Sequence, residues 1–137
     1  MSVKVLLVKN NKVLMELPLS ADAWPRDRLQ RELTSFEEEY ERFTKLFDAL
    51  SHQTRLRMVK RLFEEDDYTL GFTDFIKELG LNPKIVWQNT KKLCDSGLLE
   101  KGEDGKYSFS EPGKTEFLML SFVLRHLREM FESIEGR

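Results

Sequence analysis

The stretch "GLNPKIVWQNTKKLCDSGLLEKGEDGKYSF", from Gly80 to Phe109, decides how this chain reads. Asn82 carries a side-chain oxygen suited to accept from the first N–H groups of a helix, and Pro83 fits the first helical turn, where an N–H is not needed. The spacing predicts a helix from there to Gly97, which stops it by taking positive φ. Val86, Thr90 and Leu93 fall on one face, expected to meet the core. Lys84, Trp87, Gln88 and Lys91 fall opposite. Two strands are expected next, about Leu98 to Lys101 and Lys106 to Phe109, turning at Asp104-Gly105. A tight turn, a helix with lysines on one face and a hairpin, in that order, suit an element that docks in a DNA groove.

Just upstream, "TDFIKELG" predicts a short helix capped by Thr73, running through Leu79 and stopped by Gly80. "DDYTLGF" reads as a loop. "SHQTRLRMVKRLFEED" predicts a helix capped by Ser51, with Leu56, Val59, Leu62 and Phe63 on its apolar face. Arg55, Arg57, Lys60 and Arg61 make it locally basic, although some of these are expected to be solvated or paired with the acids from Glu64 to Asp67. Further back, Leu29, Leu33, Phe36, Tyr40, Phe43, Phe47 and Leu50 recur at spacings of four and three, which predicts one long helix with an apolar stripe. Pro25 suits its first turn. Glu37, Glu38, Glu39 and Glu41 lie mostly off the stripe, as a solvated face does. At the start, Val3 to Lys9 and Lys12 to Leu17 predict a β-hairpin turning at Asn10-Asn11, because asparagine tolerates positive φ.

Downstream, Glu111 to Ile134 predicts a last long helix with Phe117, Leu120, Leu124, Leu127, Phe131 and Ile134 in its stripe. Leu118, Met119, Phe122 and Val123 make its first half apolar nearly all round. Such a helix must be covered on every side, which points to a second copy of the chain. The expected fold class is therefore mainly α with small β. Residues 1–20 form an N-terminal hairpin extension, and residues 21–137 form one domain flanked by dimerisation helices at about 25–50 and 111–135.

The chain has 137 residues, of which 40% are hydrophobic and 34% charged, enough for a packed core and too apolar for disorder. Its net charge of −2 argues against indiscriminate coating of nucleic acid, but leaves a local basic docking face open. Cys94 is the single cysteine, so no intramolecular disulfide forms and a cytoplasmic location is expected. The apolar run near the N-terminus is far too short to span a membrane. No phosphate-binding glycine loop, nucleophile elbow or metal-ligand cluster occurs, and His52 and His126 stand outside any motif. An enzyme is not expected, nor is a cofactor or bound metal.

From Leu46 to Phe117, "ALSHQTRLRMV", "DFIKELGL", "NPKIVWQNTKKLCDSGLLE" and "EKGEDGKYSFSEPGK" together resemble the ArsR-like winged helix-turn-helix transcriptional regulators. In that pattern they are the second helix, the positioning helix, the recognition helix and the wing. The resemblance implies a homodimer built on the first and last helices, and double-stranded DNA as partner. The N-terminal hairpin is not part of it. Metal-sensing members carry a thiolate pair that would fall near Tyr68 to Thr73, where "YTLGFT" has neither Cys nor His. A second family metal site on the last helix has only His126 here, with Glu129 one turn on, and an ordinary surface or packing histidine is the better reading.

Lys84 and Lys91 suit phosphate oxygens or guanine edges, Gln88 suits adenine, and Asn82 with the backbone at the helix start suits a phosphate. Lys92 and Arg55 are expected to add to this field, and Lys101, Lys106 and Tyr107 to serve the wing. Trp87 has one N–H donor and no natural match to a base edge; DNA, a protein partner and the core all remain open for it. Leu29, Leu33, Phe36, Tyr40, Phe117, Leu120, Leu124, Leu127 and Phe131 are the expected dimer contacts. Cys94 is expected to be a buried, inert thiol. From Leu81 to Ser110 five lysines face four acids, a thin positive balance. Two functions follow as expectations: a sequence-specific DNA-binding regulator, or a winged-helix protein-interaction module, with a transcription-machinery protein as partner.

Overall fold

The computed structural model of the chain describes residues 3–134 and is mainly helical with small antiparallel sheets. The chain divides into two compact units, Met1–Glu41 and Arg42–Arg137. The first therefore runs past the expected boundary at residue 20 and into the long helix.

In the first unit β1 (Lys4–Lys9) and β2 (Lys12–Pro18) pair antiparallel. Asn10 and Asn11 both have positive φ, 52° and 64°, as a two-residue hairpin turn matched to strand twist requires. The register slips between Leu7 and Val8, leaving Leu14 as the extra residue of a bulge. The Trp24 indole N–H donates to the Pro18 carbonyl at 2.8 Å, fixing the exit from the hairpin. Helix α1 (Arg26–Leu50) begins just after Pro25. Among the described residues up to Glu41 none is buried, and Leu6, Leu7, Val8, Val13, Leu14 and Met15 are all exposed.

The second unit holds the end of α1, then α2 (Gln53–Glu64), β3 (Thr69–Leu70), α3 (Phe72–Leu79) and α4 (Pro83–Asp95). These are followed by β4 (Leu99–Lys101), β5 (Tyr107–Phe109), α5 (Glu111–Leu118) and α6 (Leu124–Ile134). The strands form one antiparallel sheet in the order β3-β5-β4. The core gathers Leu46 and Ala49 from α1, Met58, Val59 and Leu62 from α2, Phe75 from α3, and Val86 and Leu93 from α4. Each such large apolar side chain contributes about 1.5–3 kcal/mol by leaving water. Phe63 stacks on Phe117 with centroids 5.0 Å apart and tilts against Phe109 at 4.4 Å, which fastens α5 to α2 and the sheet.

Several expectations change. The loop "DDYTLGF" contains β3, whose two residues pair with Ser108 and Tyr107. The cap of α2 is His52, whose Nδ1 accepts from the Thr54 N–H at 3.2 Å, while the Ser51 hydroxyl turns back to the Asp48 carbonyl at 2.8 Å. Helix α3 starts two residues earlier than a Thr73 cap implies: Gly71 is its cap, and the Asp74 carboxylate accepts from the Gly71 N–H at 2.9 Å. Leu56 is exposed and Met58 takes its place in the core. The last helix is interrupted by a π-helical turn over Met119–Val123, where the Leu124 N–H donates to the Met119 carbonyl. The final residue of the expected range 111–135 lies outside the described residues. No helix among the described residues is long and apolar enough to cross a membrane.

Candidate nucleic-acid interface

Helix α4 is positioned by devices that the sequence announces. Gly80 ends α3 in the left-handed region at φ 64°, turning the chain within two residues of the next cap. Asn82 Oδ1 accepts from the Ile85 N–H at 2.8 Å, and Pro83 opens the helix. Val86, Thr90 and Leu93 are buried as expected. The Thr90 hydroxyl donates to the Val86 carbonyl at 2.8 Å, so its burial leaves no polar atom unsatisfied.

The opposite face of α4 is open. Lys84, Trp87, Gln88 and Lys91 are all exposed, Trp87 to 57%, so the core is excluded as its destination. Lys91 Nζ lies 5.4 Å from the indole centroid, within cation–π range. Beside them runs a groove of about 520 Å³ between α2 and α4, lined by His52, Thr54, Trp87, Gln88, Lys91 and Asp95. Asn82 is exposed, but its Oδ1 already serves as the helix cap. Lys92 is exposed and lines the same groove, but its ammonium is paired with Asp48 at 3.2 Å.

On the hairpin, Lys101 and Lys106 are exposed, and Gly105 turns the loop at φ 81°. The Asp104 carboxylate accepts from the Lys106 N–H at 3.0 Å and stiffens it. Tyr107 is a correction: it is buried, its ring packed toward Phe75 at 6.2 Å with Lys101 Nζ 5.7 Å from its centroid. An aromatic in the middle position of a sheet faces the core or solvent by register alone, and here the register turns it inward.

Arg55 is the second correction. It is buried at 6% exposure, in the wall of the groove between α2 and α4, with its guanidinium taken up by the protein's own oxygens. Its guanidinium donates to the Ala49 carbonyl at 2.7 Å, to the Asp48 carbonyl at 2.9 Å and to Asn89 Oδ1 at 2.9 Å. A helix C-terminus leaves carbonyls without partners and carries partial negative charge, which is why a cation is drawn there. Of the other basic residues on α2, Lys60 pairs with Glu64 at 2.9 Å, and Arg61 bonds Glu65 at 2.6 Å and Glu78 at 2.9 Å. Glu78, then Glu65, raise the Arg61 pKa. Arg57 is exposed.

The expected dimer contacts divide. Phe117 is a correction, since it belongs to the core of its own chain. Leu29, Leu120, Leu127 and Phe131 are half-buried, while Leu33, Phe36, Tyr40 and Leu124 are exposed. Phe36 and Tyr40 meet edge to face at 6.4 Å. Beyond Leu120, the faces of Leu118, Met119, Phe122, Val123, Met130 and Ile134 are also exposed.

Cys94 is half-buried, and burial, reinforced by Asp95, pushes its thiol pKa up. That disfavours the reactive thiolate. His126 is exposed and lies 3.6 Å from Glu129. Among the described residues no group of three or more His, Cys, Asp or Glu is arranged to hold a metal ion. Asn89 is the residue that sequence reasoning missed: a polar side chain three after Val86 and four before Leu93 lies on the buried face and needs a buried partner.

No protein-family model matches the chain, and no curated protein matches it.

Proposed function

We propose that the chain is a homodimeric, sequence-specific double-stranded-DNA-binding transcriptional regulator of winged helix-turn-helix architecture. Helix α3 and the Gly80 turn set α4 as the recognition helix, and β4 and β5 form the wing. The observation that carries the reading is the exposed face Lys84, Trp87, Gln88 and Lys91 on a helix capped and buried along its other side. Lys84 and Lys91 neutralise phosphates or bind guanine, and Gln88 reads adenine. Lys101 and Lys106 on the wing reach the flanking backbone or minor groove. The exposed apolar residues of α6 and the π-turn supply the dimer contact, and two recognition helices then meet two half-sites about one helical turn apart.

The test is binding to duplex DNA from the chain's own upstream region, followed by genomic mapping of bound sites. Sub-micromolar binding that weakens steeply with salt is expected. Lys84→Glu with Lys91→Glu abolishes it. Binding that ignores both salt and this double substitution refutes the reading.

One observation favours a second reading, a winged-helix module that docks on a transcription-machinery protein. Trp87 is a large exposed aromatic, and Lys92 beside it is neutralised by Asp48. Exposed tryptophans anchor protein interfaces. Under this reading Trp87→Ala removes partner capture, while Lys84→Glu with Lys91→Glu leaves it intact.

A further inference from the structure

The geometry points to Arg55 as a positioning residue that, through Asn89, sets the rotation of α4 on the C-terminal end of α1, and so the direction in which Gln88 and Lys91 face. This rests on the reading of α4 as the recognition helix, but the joint itself is testable without DNA.

Arg55 is a buried cation whose hydrogen-bond partners among the described residues are three neutral oxygens, with no carboxylate among them. Two of those oxygens are carbonyls in the last turn of α1. The third belongs to Asn89, which is itself 7% exposed. Both ends of the Asn89 amide are engaged: Oδ1 accepts from Arg55, and Nδ2 donates to the Ile85 carbonyl at 2.8 Å within α4. Turning the amide over would set its NH2 against the guanidinium, so the network has one arrangement. Asp48 adds a second tie. Its carbonyl accepts from Arg55 while its carboxylate bonds Lys92 at 3.2 Å.

The end of α1 therefore holds α4 at Asn89, through Arg55 of α2, and directly at Lys92, three residues apart on one face of that helix. One attachment lets a helix swivel, whereas two attachments one turn apart fix its rotation. Gln88 and Lys91 each precede a tethered residue by one position, about 100° around the helix. Their direction follows from these tethers together with the buried face of Val86, Thr90 and Leu93. The Arg55 tie is buried and little screened by salt, whereas the Lys92 tie is exposed and weak. Arg55 thus acts on the interface without touching a partner.

The test uses the full chain with Arg55→Met, Asn89→Leu and their combination, each checked as folded by near-ultraviolet circular dichroism at low temperature. In a Trp24→Phe background Trp87 is the sole tryptophan, and both single variants are expected to shift its emission and lower its anisotropy. The combination should do no more than either alone, as for two residues acting as one unit. Duplex affinity is expected to fall by about tenfold or more, with the salt slope lowered by no more than the roughly 0.9 that Lys91→Ala removes, because Lys91 is the phosphate contact that the joint aims. Additive effects, a Trp87 signal unmoved in the folded variants, or a slope lowered in Arg55→Met by more than in Lys91→Ala overturns the proposal. Should Arg55→Met not fold, Asn89→Leu alone carries the same readouts. Absence of duplex binding by the unsubstituted chain refutes the DNA reading, and the joint is then judged on Trp87.

Discussion

Gly113 stands where no side chain fits. A Cβ at this position would lie 2.2 Å from the Leu98 carbonyl oxygen and 2.8 Å from Ser110 Oγ. The Ser110 hydroxyl is the cap of α5, accepting from the Gly113 N–H at 3.0 Å and donating to the Gly97 carbonyl at 2.6 Å. Gly113→Ala must push α5 off the root of the hairpin, and a loss of about 1–3 kcal/mol is expected in denaturant unfolding. Phe75 is the largest side chain fully out of water, and Phe75→Ala is expected to cost about 3–5 kcal/mol in the same measurement. Cys94 gives a pH prediction. Its folded pKa lies above the unfolded one, so its contribution is present below the unfolded pKa and fades as pH rises through the folded value. A thiol reagent at mildly alkaline pH should label Cys94 slowly in the native chain and rapidly after unfolding.

At the scale of elements, α4 was legible almost entirely. Asn82, Pro83 and Gly80 are local devices, and the division between Val86, Thr90, Leu93 and Lys84, Gln88, Lys91 follows from helical period alone. The two-residue strand β3 was not, because its partner β5 lies some forty residues away and nothing in "YTL" specifies that pairing. Arg55 was misread for a related reason. An arginine on a basic helix looks solvated until the C-terminus of the preceding helix is brought over it. The β1–β2 turn yields an expectation confined to its own element. Asn10→Val replaces a tolerated left-handed residue by a β-branched one, at a cost of about 1–2 kcal/mol. Since no described residue of that unit is buried, amide exchange should rise in β1 and β2 while core amides such as those of Leu62 and Leu93 stay protected.

At the scale of the whole molecule, exposed carboxylates shape the acid limb of stability. Lys60 holds the Glu64 carboxyl below the usual carboxylate range, and hydrogen bonds from Thr69 do the same for Asp67. A depressed folded pKa means stability present above the unfolded value and lost as pH falls through the folded one. The two causes separate in salt. By carboxyl NMR titration in high salt, Glu64 is expected to move toward its ordinary value, because an exposed ion pair is screened, while Asp67 holds its place. The proposed subunit association is written in the sequence only as a tendency. An apolar residue at helical spacing announces that something covers it, but Phe117 meets its own core and Leu124 does not. Sedimentation of the full chain with Leu124→Glu and Phe131→Glu is expected to shift it from dimer to monomer.

The π-turn at Met119–Val123 carries a consequence for length variation. A helical turn that closes from residue i to i+5 accommodates one residue more than a regular turn does. Deleting a single residue there lets the helix heal into an unbroken α-helix, at no cost to the hydrogen-bond ladder. The helix beyond it then keeps nearly its present azimuth, because the wider turn had already absorbed the extra residue. Leu127 and Phe131 would go on facing as they do, and Phe117 stays put. A one-residue deletion, ordinarily the gravest event inside a helix because it re-aims everything downstream, is here taken up by the turn itself.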